Sequence, residues 1–273
     1  MSTHHIASAQ LGRGAPARSA GAAFADRWIF VFMAALFVAT ALAGFVPSSI
    51  AKLASVRAGE QGPMPPVLHV HAVLMGGWLA LLLVQSVLVA TGAPWLHRRL
   101  GMLALLVAPA MVLSGVLLVP VVDRPIHQML AAPPAGTEPA LLQLLQAWIP
   151  NRPLSQIRAG VVFAVLIAWA LWVRTGDPQT HKRLLVLATV WPLGAGIDRI
   201  PLPGTYPESP AASDLYTLLW VAPLFVYDLV RHRRVPRAWW IWLAVCLPLS
   251  AAVHLLWGSA WWMAHGPEIL GLR

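Results

Sequence analysis

Four histidines stand where apolar segments open or run deep: His71 in VLHVHAVLMGGW (67–78), His97 in HRRLG, His181 in THKRL and His254 in AAVHLLWGSAWW. A neutral imidazole gives a nitrogen lone pair to iron or copper. Buried in an apolar stretch it is therefore either a ligand or one partner of an interhelical hydrogen bond. His69 and His71 advance about 200° relative to each other on a regular helix, so they cannot chelate one ion unless Pro65-Pro66 distorts the first turn. His71 shares its stripe with Met75, Trp78, Leu82 and Gln85, and this face is expected to look into a bundle. His69 lines up with Gly76 and Ala80 and reads as an interfacial residue.

The face that continues from His97 runs through Gly101, Ala104, Ala108 and Gly115, a groove suited to a neighbouring backbone or a flat cofactor. Two pairings follow as expectations: His97 with His181 at one membrane face, and His71 with His254 near the other. The second pair lie roughly 7 and 12 Å deep at 1.5 Å per residue. Trp78 and Gln85 would orient the ligands. Met75, one turn from His71, makes copper an alternative to haem b, because thioether sulfur is a soft donor. The competing reading makes the chain a non-catalytic membrane component (carrier, sensor or partner subunit) whose histidines only bridge helices. His4, His5, His127, His232 and His265 fall in loops and tails, and His97 and His181 also suit plain interfacial anchoring.

These residues need elements to carry them. With 58% hydrophobic and 11% charged residues in 273, and a mean hydropathy of +0.68, the chain lies far from soluble averages. Its net charge of +9 brackets apolar runs and so implies lipid contact and topology signals, with no nucleic acid. The expected fold is an all-α integral membrane bundle of seven helices, near 28–47, 66–90, 98–121, 157–174, 181–198, 214–230 and 238–262. Residues 1–27 read as a disordered basic tail, 122–156 as a long outer loop and 263–273 as a short outer tail. Within that loop TEPALLQLLQAWIP suggests a short surface helix. Pro47 with Ser48 and Ser49 reads as a connection, whereas Pro109, Pro192, Pro223 and Pro248 should kink spans.

Arg98 and Arg99, Arg174, Lys182 and Arg183, and Arg231, Arg233, Arg234 and Arg237 fall in three short loops on one side, which the positive-inside rule makes cytoplasmic. The N-terminus is then inside and the C-terminus outside. Trp28, Trp95, Trp172, Trp239 and Trp240 would form an inner aromatic belt, and Trp257, Trp261 and Trp262 an outer one. Cys246, the single cysteine, permits no intrachain disulfide. Walker, nucleophile-elbow and HExxH patterns are missing, which leaves a hydrolase nothing to work with. Asp198 and Asp228 read as interfacial, so a carrier built on mid-membrane carboxylates is disfavoured. The alanine-, arginine- and tryptophan-rich usage suggests a GC-rich bacterium and its inner membrane.

HAVLMGGWLALLLVQSVLV, HRRLG, THKRLLVLATVWPL with Arg199, and FADRWIFVFMAALFVATALAGFVPS resemble a widespread family of bacterial multipass membrane proteins without an assigned function. His71, Trp78 and Gln85 at seven-residue steps, His97 and Gly101, then His181 and Arg183, match its pattern across roughly residues 24–232. More distantly, the chain is similar to small four-helix proteins implicated in haem-copper oxidase maturation, which carry HRKLG-like and HKK-like motifs. It is also similar to ascorbate-reducible transmembrane cytochromes b, which hold two haems by histidine pairs on four successive helices. Those likenesses imply haem or copper and a respiratory-complex or other membrane-protein partner.

Overall fold

The computed structural model describes residues 20–203 and 210–272, and every regular element among them is a helix. In order these are α1 (Ala20–Arg57), α2 (Pro66–Ala90), α3 (Pro94–Gly101), α4 (Ala104–Ala131), α5 (Pro139–Trp148), α6 (Arg152–Val173), α7 (Pro178–Ile197), α8 (Ala211–His232), α9 (Arg237–Leu256) and α10 (Ala260–Ile269). Six segments are long and apolar enough to cross a bilayer: α1, α2, α3 with α4, α5 with α6, α8 and α9. Large apolar side chains also cover the outside, with Val73 74% and Leu255 79% exposed. On helices of spanning length, side chains exposed in this way suit contact with lipid. This is a multipass membrane protein.

Several boundaries differ from the sequence-based expectation. Residues 1–19 of the expected tail, with His4 and His5, and residues 204–209 lie outside the described residues, while 20–27 are already helical. α1 continues through Pro47 for ten further residues, because a helix with packed neighbours tolerates the one freed carbonyl. The expected third span breaks at Met102–Leu103, and α4 then runs past Pro120 and Pro125 into the expected loop. The surface helix is present as α5. The expected outer tail is mostly α10: Ser259 caps it, Leu272 is buried, and Arg124 binds the Gly271 carbonyl. Trp239 and Trp262 leave the aromatic belts for the interior, where their indoles donate to Asp228 and to the Pro150 carbonyl.

α7 organises the bundle. It packs against α6, α1, α8 and α9 and buries most of its residues, among them Arg183, Leu184, Leu187, Val190 and Ile197. Its apolarity falls short of a lipid-facing span because its neighbours, not lipid, surround it. One end lies beside Arg174 and His97, and the other end, Asp198, accepts a hydrogen bond from Ser213 of α8 at 2.7 Å. Where α1 crosses α7, a Cβ on Gly44 would fall on the Gly196 carbonyl, so only glycine permits that approach. Trp78 of α2 reaches α7 through Nε1–H to Thr189 Oγ1 at 3.0 Å, with its ring edge-on to Phe163.

Candidate functional site

At one end of the bundle α2 finishes, α3 and α7 begin, and α6 stops. Pro94 and Pro178, each in the first turn, set the entry of α3 and α7, and Asp177 caps α7 by accepting from Thr180 N–H at 3.0 Å. His181, one turn inside, donates through Nδ1 to the Ala170 main-chain carbonyl at 2.8 Å. A carbonyl only accepts, so this bond fixes the tautomer and leaves Nε2 with its lone pair. His97 is close enough to His181 for their charges to interact. The Gln85 main-chain carbonyl stands beside the His97 ring, while His97 Nδ1 is buried without a hydrogen-bond partner.

Gln85 itself is 9% exposed, and neither its amide nitrogen nor its amide oxygen has a partner. An unmet buried polar group costs about 1–3 kcal/mol, so three such atoms in one region are an expensive arrangement unless another species meets them. His97 and His181 thus stand at the same end of the bundle, with the Gln85 main-chain carbonyl beside the His97 ring.

The expected pairing of His71 with His254 does not form. His71 Nδ1 is 2.9 Å from Ser114 Oγ on α4, whose hydroxyl donates to the Met111 carbonyl. His254 Nε2 is 3.0 Å from Asp214 Oδ2 on α8, and the ring is 42% exposed. Helix α2 packs on α1, α3 and α4, whereas α9 packs on α6 and α7. Met75 is half-buried against the core, and Trp78 serves the α2–α7 contact rather than orienting His71. His69 is exposed.

The groove expected for a flat cofactor is filled from α2. A Cβ on Gly101 would meet Gln85 Nε2 at 3.7 Å, and one on Gly115 would meet His71 Cε1 at 3.4 Å. Ala104 and Ala108 are buried between them. Two cavities among the described residues lie elsewhere. A groove of about 300 Å³ is lined by Val165, Ala168, Trp169 and Trp172, and a cavity of about 490 Å³ lies among α4, α5 and α10. Among the described residues no three His, Cys, Asp or Glu side chains gather as a metal site.

Two buried charge clusters escaped the sequence reading. Arg183, 2% exposed, grips Asp228, 0% exposed, with Nε at 2.9 Å and Nη2 at 2.5 Å. Trp239 Nε1 adds a donor to the same carboxylate at 2.8 Å. At the opposite end Arg158 Nη1 binds Asp214 Oδ2 at 2.8 Å and Ser250 Oγ at 3.1 Å, its guanidinium 4.5 Å over the Trp191 ring. Asp214 is thereby shared between Arg158 and His254. Arg158 at the head of the uncharged apolar run AGVVFAVLIAWALWV, and a lone carboxylate in VAPLFVYDLV, were the available signals.

Comparison with protein-family models, curated proteins and solved structures returned no match.

Proposed function

We propose that this chain crosses a bacterial inner membrane seven times, N-terminus in the cytoplasm, and holds a metal at its inner end as part of a redox or respiratory-assembly system. The histidine, HRxLG and HKRL motifs carry the suggested kinship with the multipass family they resemble. Seven crossings are supported by α7, which runs from the end holding His97 and Arg174 to the end holding Asp198 and Asp214. Orientation is supported by the basic residues: Arg98, Arg99, Arg174 and Lys182 cluster at the His97 end, and positive loops stay cytoplasmic.

The single observation behind the metal is the state of the two inner imidazoles. His181 spends Nδ1 on the Ala170 carbonyl, which leaves Nε2 with its lone pair, and His97 Nδ1 is buried without a hydrogen-bond partner. Backbone carbonyls orient ligating histidines in just this manner. The test is metal analysis with oxidised and dithionite-reduced spectra on protein purified in mild detergent from cells replete in copper and iron. Metal at one equivalent per chain is expected; a monodisperse preparation free of both metal and haem contradicts the reading.

His71 and His254 take the other role. Their bonds to Ser114 and Asp214 support a purely structural function as bridges between helices, each worth roughly 0.6–2 kcal/mol in a membrane protein.

A further inference from the structure

We propose that α3 and the head of α4 form a docking surface for an anionic phospholipid, its phosphate on Arg98 and Arg99 and an acyl chain along the exposed face of α4. The sequence PWLHRRLG makes α3 two-sided. Trp95, Arg98 and Arg99 stand three and four residues apart, so they share one face, and all three are exposed. His97 and Gly101 look the other way, towards α2: the Gln85 carbonyl stands beside His97, and a Cβ on Gly101 would lie 3.7 Å from Gln85 Nε2. Leu96 and Leu100 are half-buried. Packing behind the helix therefore holds the cationic face outward.

Charge leaves that face open to an anion. Among the described residues no carboxylate pairs with Arg98 or Arg99. The Arg99 guanidinium lies 5.1 Å from the centroid of the Trp95 ring, which is 61% exposed. Stacking on the ring steadies the guanidinium and leaves its N–H edge for phosphate oxygens, which the fork takes two at a time. A tryptophan in this setting suits the depth of lipid headgroups.

The apolar half follows along the chain. Met102 and Leu103 bond three residues back, a tighter turn, yet keep helical backbone angles, so the face carries into α4 with little rotation. Trp95, Arg99, Met102, Leu106 and Leu113 then fall on one stripe. Met102, Leu106 and Leu113 are exposed, Leu106 by 71%. From Arg99 to Leu113 is about 21 Å at 1.5 Å per residue, enough to accompany an acyl chain through one leaflet of roughly 15 Å. Cations at the head of a lipid-facing stripe match an amphiphile with an anionic head, whereas a soluble anion would use the cations alone.

The experiment titrates the full chain in mild detergent with phosphatidylglycerol and, separately, with phosphatidylcholine of the same acyl chains. Native mass spectrometry reads bound lipid, and thermal unfolding reads Tm. Phosphatidylglycerol is expected to bind about tenfold more tightly and to raise Tm. Arg98→Gln with Arg99→Gln should abolish the preference. Arg99→Lys keeps the charge without the fork and should show an intermediate preference, a readout that survives if the double variant folds poorly. Arg233→Gln with Arg234→Gln removes two exposed cations at the same end of the bundle and should leave the preference intact. Equal binding of both lipids by the wild type overturns the proposal. So does an equal loss in the two double variants, which would mean diffuse charge in place of a site. Glycerol phosphate without acyl chains should leave Tm unchanged; a rise equal to that with phosphatidylglycerol would make the occupant a soluble anion and overturn the proposal as well.

Discussion

Arg183 and Asp228 join α7 to α8 by a two-armed ion pair almost sealed from solvent, the guanidinium 2% and the carboxylate 0% exposed. His232 Nε2 and the Gln179 side-chain oxygen accept further hydrogen bonds from the guanidinium. Removing one partner strands the other charge in low dielectric. Arg183→Met or Asp228→Asn should therefore cost about 3–5 kcal/mol. Replacing both by Met and Leu should recover most of that loss. Thermal unfolding of the detergent-solubilised variants measures it, and equal destabilisation in single and double variants would contradict the pairing.

The α1–α7 crossing depends on the absence of a side chain. Gly44→Ala drives a methyl into the Gly196 carbonyl, which backbone cannot yield cheaply, so a loss of about 1–3 kcal/mol is expected. Gly76 meets open space, and Gly76→Ala should leave stability unchanged. Comparing the Tm of the two variants separates helix crossing from generic intolerance of glycine replacement.

Asp177 gives the fold a defined acid sensitivity. Hydrogen bonds from the Thr180 hydroxyl and N–H hold its carboxyl below the usual carboxylate value near 3.8. A depressed folded value means the cap contributes fully above the unfolded value and is lost as pH falls through the folded one. The contribution should thus be constant from pH 7 to about 4 and fade below it. Asp177→Asn, which still caps, should flatten that acid limb. Asp177→Ala should lose about 1 kcal/mol already at neutral pH. Stability measured against pH in the three proteins decides this.

Trp78 Nε1–H donates to Thr189 Oγ1 and so bonds α2 to α7. Thr189→Val leaves a buried indole N–H unmet and should cost about 1 kcal/mol. In Trp78→Phe the same threonine change should cost less, and a double-mutant cycle reads the coupling.

What could be read from the chain was local. The limits of α2 match its apolar run because Pro65-Pro66 and Gly92 punctuate it, and α5 was visible from Pro139 and its leucines. That His97 and His181 each fall near the start of a helix at one end of the bundle was legible from HRRLG and THKRL. The misplaced pair, His71 with His254, required α2 and α9 to be neighbours, and no periodicity encodes which helices touch. The same gap hid Arg158 with Asp214, 56 residues apart. α1 runs on beyond Pro47, where punctuation alone marked a stop.

In the proposed function His97 and His181 serve one bound metal, while the outer histidines are structural. Metal per chain is to be measured for wild type and for the single glutamine variants of His71, His97, His181 and His254 purified identically. Near one equivalent is expected in wild type and in the His71 and His254 variants, and near zero in the other two. Equal metal content in all five proteins, or loss confined to the His71 or His254 variants, would contradict it.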